Sequence, residues 1–390
     1  MRIIHIIDYF QPKLGYQETY LTREHAKAGH DVHIITSDRY NPTIYAGNAA
    51  KPMMGKRTVG AGFVTEEGIN IWRLKTLFEL PHAIWMLGLE RKIEELKPDI
   101  VIVHGIVNFA AWRIARSKKK LADSRLIYDD HMTFANSRSA LKIFYALFRW
   151  LFSSSIQKAA DALVAILPDS KTFMHQRYGI PDERIHIIPL GADAELFRFD
   201  AKARKQTRKE FKLTEEDIVF VYTGKIVPQK KLQLLVEAAA ILMTKHDNVK
   251  IMLVGGGSQS YIEKLKQDIA QKGLEDKFVW HEAVPNDQLY RIYSAVDVAV
   301  WPNEASISMR EAMSCGLPLI IGRDSKVTEL VDYQNGLLYR EGDIADLSQQ
   351  MEKLLDPELR REMGHKSRKL VDDRFNWRTI AEQFIGLVTV

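Results

Sequence analysis

At 390 residues with 46% apolar side chains, the chain is long enough for two domains, each with its own buried core. Its formal net charge of +5 is too slight for a nucleic-acid binder, and its single cysteine, Cys315, excludes an internal disulfide or cysteine-rich metal site and suits a reducing compartment. Met1 to Ile7 is too short for a signal peptide, and no run of about eighteen apolar residues lacks charge, so a cytoplasmic chain with no membrane span is expected.

The opening RIIHII (2–7) reads as a buried strand. A loop with Pro12 and Gly15 follows, then a helix over 18–28 closed by Gly29, and a second strand, DVHIIT (31–36). The loop has no G-x-G-x-x-G, so a nicotinamide site is not expected there. Residues 39–68 are polar and Gly-rich, an insertion with room for a hairpin. A strand over 69–74, a helix over 82–96, strand 100–104, helix 107–120, strand 125–129, a long helix over 138–159, strand 162–166, helix 170–178 and strand 185–189 complete the first half. GADAELFRFD (191–200) follows, then a charged stretch, Lys202 to Lys212, and the domain boundary is placed here, near 190–200. The alternation restarts with strands over 218–223, 249–254, 277–280, 297–301 and 318–322. Helices over 231–245, 258–272 and 286–294 separate the first four, and helices over 343–354, 357–373 and 376–388 close the chain. Short apolar strands alternating with helices predict an α/β fold of two doubly wound parallel sheets, whose ligands sit at the carboxyl ends of strands.

The densest chemical signal is VAVWPNEASISMREAMSCGLPLII (298–321). Val298 to Trp301 reads as a strand ended by Pro302 and Asn303. Ser306 to Ser308 leads into a short helix capped at Gly316, and Pro318 forbids its continuation. A strand feeding a helix start directs free N–H groups and the positive dipole end to the space above the sheet edge, with Asn303, Glu304 and Glu311 around it. Amides beside carboxylates suit a ligand bearing both phosphate and sugar hydroxyls, which describes a sugar nucleotide. Ser308-Met309-Arg310-Glu311 is equally a capping box, S-x-x-E, in which Glu311 only closes the helix start.

Three weaker signals accompany it. TGKIVPQKK (223–231) follows a strand: Gly224 permits close backbone approach and Lys225 and Lys230 supply cations, although a solvated basic loop reads the same way. VGGGS (254–258), with Gly255, is a phosphate-nest candidate or simply a turn. His104 and His131 each end a strand of the first half, where polar residues are common but two histidines on neighbouring strands suggest chemistry. No D-x-D or His/Cys cluster argues for a metal.

HIIDYFQPKLGYQETYL (5–21), DIVIVHG (99–105), KAADALVAI (158–166), IIPLGADAELF (187–197), YTGKIVPQKKLQLLVEAA (222–239), IMLVGGGS (251–258), SAVDVAVWPNEASISMREAMSCGLPLI (294–320) and NGLLYREGDIADL (335–347), in this order, resemble the retaining family 4, group 1 glycosyltransferases of the GT-B fold, over nearly the whole chain. The resemblance implies two Rossmann-like domains facing across a cleft. Residues 1–192 would bind the acceptor, with the helix 376–390 packing back on them, and 193–375 would bind the nucleotide-sugar donor. Glu311 matches the glutamate that binds the donor ribose diol. Ile307, Ser308 and Met309 match the backbone near the donor phosphates. Lys230 matches the lysine gripping the diphosphate, and Lys225 stands where the family has arginine. His131 matches a histidine near the transferring sugar, and Gly15 the first glycine of a Gly-Gly loop beside donor and acceptor. Three departures stand out. Lys225 lacks the bidentate fork of arginine, Tyr16 replaces the second glycine, and the family's first glutamate falls on Asn303, with Glu304 one residue off.

The implied reaction moves a sugar from a UDP- or GDP-sugar to an acceptor hydroxyl, with Lys225, Lys230 and helix amides stabilising the departing diphosphate without a metal or other cofactor. Retention is expected as a same-face displacement in which the leaving phosphate helps deprotonate the acceptor, and His131 orients or polarises. In the first half, RIARSKKKLADSR (113–125) carries six basic side chains and one acid, and 138–158 carries four basic residues, no acid and a run of aromatics. Such a surface suits an anionic membrane and a lipid-linked saccharide acceptor, unless the aromatics are core. Two other readings stay open: a non-catalytic nucleotide-sugar-binding subunit, and another GT-B enzyme such as a sugar-nucleotide epimerase.

Overall fold

RIIHII is apolar without alternation because β1 (Arg2–Ile7) is a central strand, buried on both faces between β2 (Asp31–Ser37) and another parallel strand, Ile100–His104. The computed structural model describes residues 1–42, 45, 54–80, 83–121, 123–134, 137, 142–303, 306–323 and 327–389. They form two units, Met1–Leu190 with Trp377–Val390, and Gly191–Asn376.

In the first unit the further strands are β3 (Gly62–Glu66), β4 (Ile69–Leu74), β5 (Thr76–Leu80), β6 (Ala83–Met86), β7 (Ile100–His104), β8 (Arg125–Asp130), β9 (Ala162–Ala165) and β10 (Ile185–Ile187). The sheet order is β10-β9-β8-β7-β1-β2-β4-β3, parallel except for β3, which forms a hairpin with β4. The helices are α1 (Gln17–Lys27), α2 (Leu89–Leu96), α3 (Phe109–Arg116), α4 (Lys142–Phe148), α5 (Ser154–Ala159) and α6 (Pro168–Phe173). The helix expected over 82–96 is only its second half. Residues 83–86 alternate in burial and pair antiparallel with β5, and Gly88 at φ +75° separates them from α2. The long helix expected over 138–159 is interrupted by a wider π turn at Arg149–Ser153; its first residues, 138–141, lie outside the described residues.

The second unit has strands β11 (Ile218–Thr223), β12 (Val249–Val254), β13 (Phe278–His281), β14 (Val298–Trp301), β15 (Leu319–Gly322) and β16 (Gly336–Tyr339), all parallel, in the order β13-β12-β11-β14-β15-β16. β16 is an addition to the expected strands. The charged stretch that follows the boundary lies mostly in α7 (Ala201–Glu210). Asp200 caps it by accepting from the amides of Lys202 (2.8 Å) and Ala203 (2.9 Å). Its Arg208 is 1% exposed and donates to the carbonyls of Ala295 (2.7 Å) and Asp217 (2.7 Å), so the basic residue serves packing. The remaining helices are α8 (Leu232–Met243), α9 (Gln259–Gln271), α10 (Leu289–Ala295), α11 (Ser308–Ser314), α12 (Ile344–Lys353) and α13 (Pro357–Leu370). Cys315 is buried in this core. The last helix, α14 (Trp377–Gly386), belongs to the first unit and packs on α1, Trp377 stacking on Tyr20 with centroids 5.3 Å apart. No helix among the described residues is long and apolar enough to cross a membrane.

Candidate active site

In the second unit, the end of β11 gathers the predicted residues. The Thr223 carbonyl accepts from Trp301 Nε1 (3.1 Å) and Ser308 Oγ (3.2 Å), tying β14 and α11 to β11. Ser308 is thus the first residue of α11 and spends its hydroxyl on β11; Ile307 occupies the N-cap, and no side chain caps the helix. The capping-box reading of Ser308 and Glu311 is not realised. Glu311 is 2% exposed; its Oε1 accepts from Asn286 Nδ2 (2.7 Å), and its Oε2 is buried without a partner among the described residues. Burial pushes this carboxyl up to about 7, and the Asn286 bond only partly offsets it.

The glycines here serve backbone crossing. Gly255 has φ +148°, and a Cβ on it would lie 1.8 Å from the Gly224 carbonyl oxygen. Its N–H donates to the His281 carbonyl (3.0 Å), so the amide expected to face a phosphate is used within the sheet edge. Gly224, at φ +142°, opens the loop that carries the lysines. Lys225 is exposed, with its carbonyl accepting from Tyr222 Oη (2.9 Å). Lys230 ends a 3₁₀ turn, Pro228–Lys230, which Asn303 pins by donating from Nδ2 to the Gln229 carbonyl (2.8 Å). Asn303 therefore shapes the lysine loop. The Met309 amide donates to the Ser306 carbonyl (3.2 Å), inside the helix start. Glu304 lies outside the described residues.

In the first unit, Gly15 sits at φ +65°, the left-handed region glycine adopts readily, and turns the chain into α1 through Tyr16 at its N-cap. The next residue, Gln17, donates from Nε2 to Asp129 Oδ2 (3.2 Å). Asp129, the penultimate residue of β8, is fully buried and faces His104 Nδ1 (2.9 Å) and, more distantly, His131 Nε2 (3.7 Å). Burial by itself would raise its carboxyl; His104 and then His131 reverse this and hold it below the usual carboxylate range. The His131 side chain is 42% exposed. Burial opposes its charge, but Asp129 outweighs that and its proton affinity is raised. His104 is turned inward, with both ring nitrogens used, one on Asp129 and one on His5 (3.0 Å).

The structure thus brings together Lys225, Lys230, Asn303, Ser308 and Glu311 in one unit, and Gly15, Tyr16, His104 and His131 in the other. Sequence reasoning missed Asp129, Gln17, Asn286, His5 and His25. The signals available were the acid pair Asp129-Asp130 ending an apolar strand and the histidine interrupting RIIHII. Among the described residues, no group of three or more His, Cys, Asp or Glu side chains is arranged to hold a metal ion.

Each unit thus carries an α/β sheet with a polar cluster at its strand ends. A family description for Glycosyl transferases group 1 matches residues 203–370, and one for Glycosyltransferase Family 4 matches residues 19–196. The chain belongs to the family 4, group 1 glycosyltransferases of GT-B fold. It is 28% identical over 252 residues, 61% of this chain and 55% of the relative, to the D-inositol 3-phosphate glycosyltransferase of Acidothermus cellulolyticus. It is 26% identical over 242 residues, 59% of this chain and 62% of the relative, to the GDP-mannose-dependent alpha-(1-6)-phosphatidylinositol monomannoside mannosyltransferase of Mycolicibacterium smegmatis. The matches thus span little more than half the length of these curated relatives. Among solved structures, Anabaena HepE in complex with UDP superposes with a TM-score of 0.73 at 18% identity, covering 100% of both chains.

Proposed function

We propose that the protein is a retaining, metal-independent glycosyltransferase that moves a sugar from a UDP- or GDP-sugar to an acceptor hydroxyl, with lipid-linked saccharides of cell-envelope polysaccharide synthesis as the acceptor class. The observation that carries this reading is Glu311. Its carboxylate is 2% exposed, satisfied on one oxygen by Asn286 and without a partner among the described residues on the other, at the position that matches the ribose-binding glutamate of the family it resembles. A buried polar group left unpaired costs about 1–3 kcal/mol, and a sugar diol supplies the missing donors. Lys225 and Lys230 meet the charge that grows on the departing diphosphate. His131, partly exposed beside the buried Asp129, orients or polarises a hydroxyl near the transferring sugar. The relatives named for inositol phosphate and phosphatidylinositol mannoside acceptors, and HepE solved with UDP, support this assignment.

The acceptor class and a peripheral place on the inner face of the cell membrane draw support from an exposed apolar stripe. Ile143 (83% exposed), Phe144, Leu147, Trp150 (79%) and Leu151 lie outward along residues 142–153, within a stretch rich in basic residues and free of acids. Tyr145 and Phe148 of the same stretch are core residues. Of the basic run proposed beside it, Lys118 is paired with Asp161 (2.8 Å) and Lys120 with Glu94 (3.0 Å), so the apolar stripe is the stronger membrane element. Asn303, an amide standing where the family has its first glutamate and tied through Nδ2 to the Gln229 carbonyl, favours one competing reading, a non-catalytic nucleotide-sugar-binding subunit. A panel of UDP-, GDP- and ADP-sugars, screened first by thermal shift and then for nucleoside diphosphate release with and without a lipid-linked acceptor, separates the two. Binding with acceptor-dependent release supports the transferase; binding without release under every condition supports the subunit.

A further inference from the structure

Four residues from four separate segments of the first unit form an unbroken file of hydrogen bonds beneath His131. Asp129 Oδ2 meets His104 Nδ1 (2.9 Å), His104 Nε2 meets His5 Nδ1 (3.0 Å), His5 Nε2 meets His25 Nδ1 (3.1 Å), and His25 Nε2 meets the Ala381 carbonyl of α14 (3.2 Å). His5 and His25 are 0% and 1% exposed, and the His104 side chain is 9% exposed. Both nitrogens of all three rings are committed, which leaves none to ligate a metal.

The protons in this file can be counted. It begins at a carboxylate and ends at a carbonyl, so both ends accept. Four hydrogen bonds need four protons, and three neutral imidazoles bring three. One further proton is required if every link is made, and an unmade link in so buried a file is costly. Asp129 does not hold that proton: Oδ2 faces the Gln17 amide (3.2 Å) as well as His104, and Oδ1 faces the Gly105 N–H (3.4 Å), so it is an acceptor on both oxygens. Of the rings, only His104 touches an anion.

We propose that His104 carries the fourth proton as an imidazolium paired with Asp129, that His5 and His25 are neutral Nε2–H tautomers pointing away from it, and that the Ala381 carbonyl at the far end holds the file in this charge state. His104, His5 and His25 are then positioning residues. They set the charge that His131 experiences without touching a substrate. Burial drives His5 well below the ordinary histidine range and His25 down to about 4, which agrees with both being neutral. The other titratable groups facing the file are Glu18 on α1, raised by burial; Asp130 at the end of β8 and His131 after it; and His30, 6.3 Å from His25 ring to ring.

The polarity of the file makes a remote prediction. Without a ring at position 25, His5 Nε2–H has no acceptor, and its better tautomer donates from Nδ1 to His104 Nε2. That requires His104 to give up its extra proton. Asp129 then faces a neutral ring, and its charge bears more strongly on His131. This last consequence rests on the reading of His131 as a site residue; the charge of His104 does not.

The test is ring-nitrogen NMR on the full chain labelled with 15N-histidine, with wild type, His25→Leu and His25→Gln compared at pH 7. In wild type, His104 should show two protonated nitrogens and His5 and His25 one each. His25→Leu should make His104 neutral and raise the His131 titration midpoint by about one unit, the scale expected for an opposite charge within ~4–6 Å. His25→Gln accepts through Oε1 and donates through Nε2, so it should restore the wild-type pattern. Three neutral rings in wild type, or a His104 charge unchanged in His25→Leu, would overturn the proposal. So would equal loss of the charge in His25→Leu and His25→Gln. Should His25→Leu fail to fold, the wild-type and His25→Gln spectra still decide it. A neutral His104 defeats the file whatever the turnover; a charged one alongside absent sugar transfer defeats only the enzymatic reading.

Discussion

Glu311→Gln should make the unliganded protein more stable at alkaline pH while weakening nucleotide binding. Burial raises the Glu311 carboxyl from 4.5 to about 7. Such a group favours the folded state below pH 4.5, where both states are protonated and the neutral acid fits its site. As pH rises from 4.5 to 7 the unfolded chain ionises first, so stability falls, and above 7 the whole loss is present. The shift corresponds to about 3 kcal/mol at ~1.4 kcal/mol per unit. Glutamine has the shape of the protonated acid and cannot ionise. The stability difference between variant and wild type should therefore grow by about 2–3 kcal/mol between pH 5 and pH 8, or roughly 4–12 °C in the transition that contains the second unit. A charge-assisted bond to a ribose diol is worth about 1.5–3 kcal/mol, so nucleotide Kd should rise about ten- to hundredfold. Thermal melts at the two pH values and calorimetric nucleotide titration read both effects. A variant that melts below wild type at pH 8, or binds nucleotide as wild type does, would refute the reasoning.

Lys230→Ala should lower kcat by on the order of a hundredfold with a milder effect on donor affinity, because the charge it meets grows only as the glycosidic bond breaks; steady-state kinetics with unchanged kcat would detach the leaving-group role from this loop. Lys225→Arg should keep or raise activity in the same assay, and its abolition with the fold intact would show a loop rebuilt around lysine. Trp150→Glu with Leu147→Glu should release the protein from anionic vesicles in a sedimentation assay, whereas neutralising Lys118, Lys119 and Lys120 should matter less, since two of them are paired on the protein; the opposite ranking would return the membrane site to the lysines. Gly255→Ala should cost about 2–6 kcal/mol of stability by denaturant unfolding, from backbone strain at φ +148° and overlap with the Gly224 carbonyl; a near-neutral result would mean the two loops do not cross as described.

Much of this architecture was written in apolar strings. β1, β11, β12 and β14 are central strands buried on both faces, and their near-continuous apolar sequences reveal them without a partner in view. What stayed illegible depended on long-range pairing. Residues 83–86 look helical in isolation, and only the presence of β5 makes them a strand. The charges of 202–212 look like linker until Arg208 is seen buried and donating to the distant Ala295 carbonyl. The site divides in the same way. Glu311, Lys230 and His131 stand out in the sequence at strand ends and a helix start, and the resemblance gave them roles. Asp129 does not, since a buried acid beside a histidine gains meaning only when β7 and β8 lie in register, His104 against Asp129. Gly255 was visible for a different reason from the one the structure supplies, the meeting of two backbones.

Proton NMR of one reaction tube tests the central claim most directly, following the anomeric signals of donor and product as the protein acts on a nucleotide sugar and a lipid-linked acceptor. Glycosyl transfer with retention predicts that the donor anomeric signal decays only when the acceptor is present and that a product signal of the same configuration replaces it. A product of inverted configuration would contradict the retaining mechanism. A bound donor that persists unchanged with every acceptor would contradict glycosyl transfer itself.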